Sequence, residues 1–341
     1  MQSQHTLLRN GKTIKMNEFS QYIKLIGKGK NAGKYLTKVQ AYDAFDILLK
    51  GQAQPEQIGA FLMLLRVREE SAEELAGFVK ATREHTPTAI QQINVDLDMG
   101  CYAGKRRHLP WFLLAMLCLA QSGKRIFLHG CKEPDSNRLY LPEVFSALNI
   151  PVSQNAEQAN EQLDKTNFAY MDLQQVNPKL NHLIQMRSLF GLRSPANTLA
   201  RMLNPTSAPS SFHGVFHRHF DERHIQVAKL LGDQHVSCIR GEGGEVEVNP
   251  ERGFIQHLIN NGEISSYEFP TLLPNWQIKP RELKPLELKQ CWTGELQFEY
   301  ATQSIIGTIA TYLTLLESIS VEQALQQAET MWLNRNAVFE F

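Results

Sequence analysis

The sequence has few of the features that mark membrane or disordered proteins. No stretch approaches the roughly 20 uninterrupted apolar residues that a membrane helix needs, and the polar first residues lack the charged-then-apolar layout of a signal peptide. Charged residues make up only 21% of the chain and hydrophobic residues 43%, a composition typical of folded proteins. We therefore expect a folded cytoplasmic protein without a membrane segment. Its 341 residues favour two domains or one large α/β unit.

Cysteine is also scarce. The five cysteines are odd in number, lie far apart and include no C-x-x-C pair, which argues against a disulfide framework and a zinc knuckle. None has a histidine or base at a spacing that would activate a thiolate. We expect reduced thiols that serve mostly as core residues; they are Cys101, Cys118, Cys131, Cys238 and Cys291.

Net charge is absent, because 35 Lys and Arg balance 35 Asp and Glu. The balance hides an uneven distribution along the chain. Residues 1–40 carry eight bases and only Glu18 as an acid, and residues 101–132 carry six bases and no acid. A neutral protein can still present a basic face, so a nucleic acid remains open as a partner.

The pattern of elements divides the chain in two. Residues 1–85 show only helical patterns, with capping boxes at Thr37-Lys-Val-Gln40 and Ser71-Ala-Glu-Glu74 and with Pro55 at a first helical position. From about residue 93, β-rich runs alternate with helical stretches, as in α/β proteins. We predict a helical domain over 1–85 and an α/β domain over 86–341.

Within the α/β domain the runs predict individual elements. Four prolines between residues 270 and 294 indicate an extended surface segment. The predicted strands are 124–129, 167–171, 212–216 and 235–240, and the predicted helices are 111–121, 221–231, 296–317 and 320–332.

Residues 98–110 form a candidate anion site. Gly100 and Gly104 stand between a probable strand and a helix that begins near Pro110, where free backbone N–H groups and a helix dipole favour an anion. The same loop carries Lys105, Arg106, Arg107 and His108. An ordinary turn with solvated cations is an equally open interpretation.

A second basic segment spans residues 27–35. Lys28, Lys30 and Lys34 alternate with glycines, a composition suited to following a phosphate chain without reading bases. The segment is not a P-loop, because Tyr35 stands where that motif needs serine or threonine. A flexible cationic loop between helices is the alternative.

Four histidines crowd into residues 213–224. Together with Asp221 and Glu222 they offer enough nitrogen and oxygen atoms for zinc, but their spacing matches no standard ligand set. A polar edge strand leading into a capped helix would account for them equally well, so we predict no metal; they are His213, His217, His219 and His224.

Several segments together resemble the anthranilate phosphoribosyltransferase family, over about residues 20–270. The segments are Gln57-Ile-Gly-Ala-Phe-Leu-Met-Leu-Leu-Arg66, Glu73-Glu74-Leu-Ala-Gly77, Leu128-His-Gly130, Arg187-Ser-Leu-Phe-Gly191-Leu-Arg193 and Asn204-Pro205. The resemblance implies a small helical domain, joined by a helix from about 177–203, beside an α/β domain with a central, mainly parallel sheet. It also implies a homodimer formed through the helical parts.

The enzyme motifs of that family are altered here. The phosphoribosyl pyrophosphate loop, G-T-G-G-D in the family, matches Gly100-Cys-Tyr-Ala-Gly104, so the inner glycines and the acid are lost. The K-H-G-N-R motif survives only as Leu128-His129-Gly130-Cys131-Lys132, and Val246 stands where the metal-holding aspartate belongs. Since valine cannot ligate Mg²⁺, these changes argue against the transferase reaction.

The altered segments look like the YbiB-type branch of this fold. That resemblance implies a homodimer without anthranilate phosphoribosyltransferase activity that binds single-stranded DNA or RNA with little sequence preference. We predict no catalytic residue and no cofactor, with Tyr35 or Tyr102 stacking bases. The predicted binding set is Lys28, Lys30, Lys34, Lys105, Arg106, Arg107, Lys132, Arg187, Arg193 and Arg201. For at least one of Arg187, Arg193 and Arg201, packing inside the protein is an equally open role.

The alternative is a phosphoribosyl or glycosyl transferase with an unknown acceptor. The pyrophosphate site would then include Gly100, Gly104, His129 and Gly130, with Glu245 and Glu247 on Mg²⁺. A dimeric scaffold for another protein is a third interpretation.

Overall fold

The structure, a computed structural model, describes residues 6–9, 12–15, 18–29 and 33–341. It confirms the predicted fold class, a small N-terminal helical domain beside a larger α/β domain whose sheet is mostly parallel. In chain order the first elements are β1 (Thr6–Arg9), β2 (Lys12–Lys15), α1 (Ser20–Ile26), α2 (Lys38–Leu49), α3 (Pro55–Arg68), α4 (Ala72–Glu84) and α5 (Thr88–Gln91).

Local chemistry accounts for the starts of the helices. Thr37 caps α2 and Ser71 caps α4, each in a reciprocal capping box with the residue three positions on, as predicted. Pro55 begins α3, also as predicted. The expectation of helices only was wrong at the chain start, where β1 and β2 pair antiparallel. The Asn10-Gly11 pair between them is a strong hairpin signal that we overlooked.

The remaining elements build the α/β part. In chain order they are β3 (Leu97–Cys101), α6 (Phe112–Gln121), β4 (Ile126–Gly130), α7 (Leu141–Leu148), α8 (Ala156–Thr166), β5 (Phe168–Asp172), α9 (Leu173–Val176), α10 (Pro178–Gln185), α11 (Arg187–Phe190), α12 (Ala196–Arg201), β6 (Ser210–Val215), α13 (Phe220–Leu231), β7 (His235–Arg240), β8 (Phe254–Asn260), β9 (Glu263–Phe269), α14 (Leu286–Thr293), α15 (Glu299–Leu316) and α16 (Val321–Leu333). A short 3₁₀ turn, Glu242–Gly244, follows β7.

The large sheet has seven strands in the order β5-β4-β3-β6-β7-β8-β9. The first five are parallel, whereas β8 and β9 join antiparallel. In the register of β3 and β4, Gly100 lies beside His129 and Cys101 beside Gly130. The carboxyl ends of these strands therefore meet at the edge where α/β sheets carry their ligand sites.

Two large buried clusters hold the chain together. One joins α6 and α15 to one face of the sheet. The other joins α1–α4 to α9–α12 and to the opposite face, so residues from 173–201 pack with the N-terminal helices. All five cysteines are buried and free, as predicted. Among the described residues, no helix is both long and apolar enough to cross a membrane.

Candidate functional site

The loop after β3 already holds a carboxylate. The backbone N–H groups of Ala103 and Gly104 both donate to Oε1 of Glu245, at 2.8 and 2.7 Å. Glu245 is buried, and Gly104 has a positive φ of 68° that directs the turn. A side chain of this protein therefore accepts the hydrogen bonds that a bound anion would accept in a strand–loop–helix site.

The next residue of the loop is neutralised in the same way. Lys105, only 2% exposed, donates to Oε1 of Glu247 at 2.5 Å, and the N–H of Phe112 at the start of α6 donates to Oε2 at 2.9 Å. The prediction that Lys105 binds nucleic acid was wrong, because Lys105 is buried and its charge is neutralised by the buried carboxylate of Glu247, 142 residues away in sequence.

The two acids also fail to fit Mg²⁺. Both oxygens of Glu247 and Oε1 of Glu245 accept hydrogen bonds from protein donors, and Val246 between them is buried. Hard cations need several free oxygen ligands. Among the described residues, no group of three His, Cys, Asp or Glu side chains could hold a metal ion.

His129 is fully buried in a chain of hydrogen bonds. Its Nδ1 bonds the Tyr102 hydroxyl at 2.5 Å, its Nε2 bonds Asp98 at 3.0 Å, and Asp98 in turn accepts from Thr206 at 2.6 Å. Tyr102 is buried too, so it cannot stack bases as predicted. The aromatic ring of Tyr102 lies so close to Gly100 that a Cβ there would come within 2.8 Å.

The four predicted pyrophosphate residues therefore do not form an open site. Gly130 faces the neighbouring strand, because a Cβ on it would lie 2.4 Å from the Cys101 carbonyl oxygen. A Cβ on Gly104 would likewise lie 2.8 Å from the Tyr140 ring. Gly100 and His129 face Tyr102, so tight packing explains all four positions.

A single buried carboxylate, Glu133, gathers two of the predicted cations. It pairs with Arg187 and with Arg193, the latter at 2.8 and 3.0 Å, and also accepts from Asn197 and Tyr140. Sequence reasoning missed Glu133, since nothing in its local pattern marks it. Two guanidinium groups against one carboxylate leave one positive charge in excess.

Beside this cluster lies a cleft between the helical part and the α/β part, with a volume of about 300 Å³. Four arginines line it: Arg66 from α3, Arg138, Arg193 and Arg201. Among the described residues of the lining, none is Asp or Glu. Burial lowers the pKa of Arg201, but a guanidinium group stays charged in proteins. Sequence reasoning found Arg193 and Arg201 and missed the other two.

The other predicted cations that the structure describes lie outside this cleft. Lys28, Lys34, Arg106 and Arg107 are exposed, and Lys132 is exposed but pairs with Glu143 at 2.7 Å. The cleft lining includes none of these five residues. Lys30 lies outside the described residues.

Two exposed aromatic rings each lie close to a cationic side chain. Tyr35 is exposed, with the Arg68 guanidinium 4.3 Å from its ring centre. Trp276 is 66% exposed, with the Lys279 ammonium 5.7 Å from its ring. Trp276 was missed, although an exposed tryptophan beside lysine in a proline-rich segment is a recognisable signal for a stacking site.

The four histidines divide into two kinds. His213 and His224 are buried with ring centres 5.3 Å apart, whereas His217 and His219 are exposed. The interpretation of a polar edge strand was wrong, because β6 lies inside the sheet between β3 and β7 and is buried along its whole length.

Two family models match the chain, and both describe domains of a glycosyl transferase family. Residues 20–86 match the helical bundle domain of a glycosyl transferase family, and residues 142–288 match the α/β domain of a glycosyl transferase family. The chain belongs to this family, in its anthranilate phosphoribosyltransferase-like form.

Individual relatives agree with the family. An anthranilate phosphoribosyltransferase of Halalkalibacterium halodurans is 28% identical over 219 residues, which cover 64% of each chain. The uncharacterized protein YbiB of Escherichia coli is 28% identical over 243 residues, 69% of this chain and 74% of its own. The chain thus spans a little under two thirds of the first relative's length.

Solved structures show the same fold over almost the whole molecule. The anthranilate phosphoribosyltransferase of Thermus thermophilus superposes with a TM-score of 0.74 at 19% identity, over 93% of this chain and 94% of that one. The Saccharomyces cerevisiae enzyme in complex with PRPP and Mg gives 0.73 at 16% identity, over 94% of both chains.

Proposed function

We propose that this protein is a cytoplasmic homodimer that binds single-stranded DNA or RNA with little sequence preference. It uses a phosphoribosyltransferase-like scaffold that has lost anthranilate phosphoribosyltransferase activity, and it needs no metal cofactor. The single observation that carries the proposal is the cleft lined by four arginines and by no described acid. Such a surface suits the phosphate backbone of a nucleic acid.

The chemistry of the former substrate loop supports the loss of activity. The transferase substrate needs free backbone donors for its pyrophosphate and free carboxylates for Mg²⁺. Here Glu245 bonds the loop donors, and Lys105 with the Phe112 N–H occupies Glu247. The protein's own ion pairs take the place of the substrate's charges.

Exposed groups outside the cleft extend the surface. Arg106 and Arg107 are exposed on the loop before α6, and Lys279 with Trp276 lies in the segment beyond β9. Ile278 and Pro280 of that segment line a common groove with His108 and Leu109. The loop around His108 and the segment around Ile278 are therefore neighbours, and Trp276 offers a ring for base stacking.

The test is fluorescence anisotropy of a labelled single-stranded oligonucleotide with nucleic-acid-free protein across a salt series. If six to ten phosphates are neutralised, affinity should fall roughly 10³–10⁵-fold between 50 and 200 mM salt. Oligonucleotides of different sequence should give similar curves. Absence of binding at 50 mM salt would refute the proposal.

A charge-matched pair of variants assigns the surface. Arg106→Ala/Arg107→Ala should weaken binding and reduce the log–log salt slope by about 2, since each phosphate contact adds about 1. Lys165→Ala/Lys229→Ala removes two exposed charges from α8 and α13 and should leave the slope unchanged. Equal slopes for both double variants would remove the 105–109 loop from the site.

A parallel titration tests the loss of activity. Isothermal calorimetry with phosphoribosyl pyrophosphate should give no Mg²⁺-dependent heat at millimolar ligand, because the loop donors and Glu247 are already bonded. Metal-dependent heat in the micromolar range would instead support a working transferase with another acceptor.

A further inference from the structure

Among the described residues, only one of the four cleft arginines forms a direct ion pair. Arg193 pairs with Glu133, and Arg138 donates to the carbonyl oxygens of Ala103 and Gly104. Arg201 donates only to the Asn197 carbonyl, at 2.6 Å, and Arg66 is exposed. Within the described part of the chain, Arg66, Arg138 and Arg201 form no direct ion pair. The charges of Glu245 and Glu133 act on Arg201 without contacting it, and Arg66 interacts in the same way with Glu70. A half-buried guanidinium group that forms no direct ion pair can bind the phosphate or carboxylate group of a ligand.

A buried polar atom in the same cleft also lacks a partner. His224 lines the cleft, is 1% exposed, and its Nδ1 has no hydrogen bond to any described residue. Buried polar groups are normally satisfied, and an unsatisfied one costs about 1–3 kcal/mol. The unpaired nitrogen therefore leaves one unsatisfied polar atom among the residues that line the cleft.

Part of the cleft lining is aromatic. Phe216 follows β6 and is 66% exposed, although large apolar rings are usually buried. Its ring stands edge to face with His217, with centres 5.3 Å apart, and His217 lies 6.0 Å from Phe220 at the start of α13. An exposed ring next to guanidinium groups matches a flat, anionic aromatic ligand.

We propose that this cleft is a pocket for one nucleoside monophosphate unit, with the phosphate on Arg66 and Arg201 and the base against Phe216. The volume of about 300 Å³ is at the lower end for small-molecule sites and suits a single nucleotide. The unit is either a free mononucleotide or the phosphorylated end of a strand. The second source rests on the proposed nucleic-acid function, whereas the first does not.

Calorimetry of the full-length protein with AMP, adenosine and inorganic phosphate separately tests the ligand class. We expect AMP to bind at least tenfold more tightly than phosphate or adenosine, because only AMP presents both groups. Phe216→Ala removes an exposed ring and should weaken AMP at least fivefold without changing phosphate binding. Arg201→Met should weaken both, and Ile255→Ala, which shortens an exposed side chain on β8, should change neither.

A second experiment, with oligonucleotides, distinguishes a free mononucleotide from the phosphorylated end of a nucleic-acid strand as the ligand. Anisotropy compares otherwise identical oligonucleotides that end in a 5′-phosphate, a 3′-phosphate or hydroxyl groups. A preference of tenfold or more for a phosphorylated end, lost in Phe216→Ala, supports the strand end; AMP binding without such a preference supports the free mononucleotide.

Three results would overturn the pocket. They are the absence of both AMP binding at millimolar concentration and a terminal-phosphate effect, equal affinity for AMP and phosphate, and AMP binding that neither variant weakens. If one of these three results is found while hydroxyl-ended strands still bind tightly, the proposed function stands while the pocket falls. If no strand binds but AMP does, the reverse holds.

Discussion

At the scale of single residues, the site is defined by carboxylates that bind the protein's own donors. Glu245 closes the loop after β3, Glu247 neutralises Lys105, and Glu133 gathers Arg187 and Arg193. Each acid is buried and multiply hydrogen-bonded, which is the condition under which a charge can lie in a protein interior. The cleft beside them contrasts with this, since its described lining has arginines and no acid.

Glu245→Ala should therefore destabilise the protein. The change leaves the N–H groups of Ala103 and Gly104 without an acceptor, and each unsatisfied buried donor costs about 1–3 kcal/mol. We expect the free energy of unfolding to fall by about 2–5 kcal/mol in urea titrations. Glu245→Gln keeps an acceptor and should lose less than half as much. If the alanine variant loses under about 0.5 kcal/mol, the loop does not depend on this carboxylate.

Glu70 should give the protein a distinctive pH dependence. Burial raises the pKa of its carboxyl to about 7, and the charge of Glu74 adds to the effect. Between about pH 4.5 and 7 the folded state keeps a proton that the unfolded chain releases, so stability falls as pH rises through this window and stays lower above it.

The matched variant is Glu70→Gln, which cannot ionise. Its advantage in unfolding free energy over the wild type should grow by about 3 kcal/mol from pH 4.5 to pH 8, since one pKa unit corresponds to 1.36 kcal/mol. Urea unfolding at several pH values measures this. Parallel stability profiles of the two proteins would show that Glu70 ionises normally in the folded state.

At the scale of elements, the sequence signals that worked were local ones. Thr37 and Ser71 cap helices because a hydroxyl and a residue three positions on are enough to satisfy the first free N–H groups. The strand predicted at 235–240 has those bounds in the structure, since a β-branched, apolar run fits the sheet interior. Both patterns depend on neighbours within a few residues.

The signals that failed depend on distant partners or on weak patterns. The hairpin of β8 and β9 was missed, because β9 is mostly exposed and lacks a clear apolar face, although Asn261-Gly262 joins the two strands. The segment over 270–294 was expected to be extended, yet Pro285 leads into α14, an accepted place for proline. The burial of Lys105 depends on Glu247, which no local pattern could connect to it.

At the scale of the whole molecule, one arginine joins the helical part to the α/β part. Arg83 of α4 donates to the carbonyl oxygens of Leu203 and Met202, and forms a two-pronged ion pair with Asp233 at 2.7 and 2.8 Å. Such a fork fixes geometry as well as charge.

Exposed leucines at α11 lead to a prediction about the proposed homodimer. Leu189 and Leu192 are 79% and 54% exposed on and just after α11, and neighbouring Phe190 lies 3.5 Å from the position of a Cβ on Gly59 of α3. Two exposed leucines beside the N-terminal helices fit an interface between helical parts. Light scattering after size exclusion should give twice the chain mass of 38.8 kDa for the wild type.

Leu189→Asp/Leu192→Asp should give a folded monomer, because two charges cannot be buried in an apolar interface. Leu286→Asp places a charge on α14 at a side chain of similar exposure and should remain a dimer. A monomeric wild type, or an intact dimer in the double variant, would contradict this interface. Because a monomer carries half the cleft arginines of a dimer, the double variant should show a shallower salt dependence than the wild type with long strands. With short strands that fill a single subunit, the two proteins should show the same salt dependence.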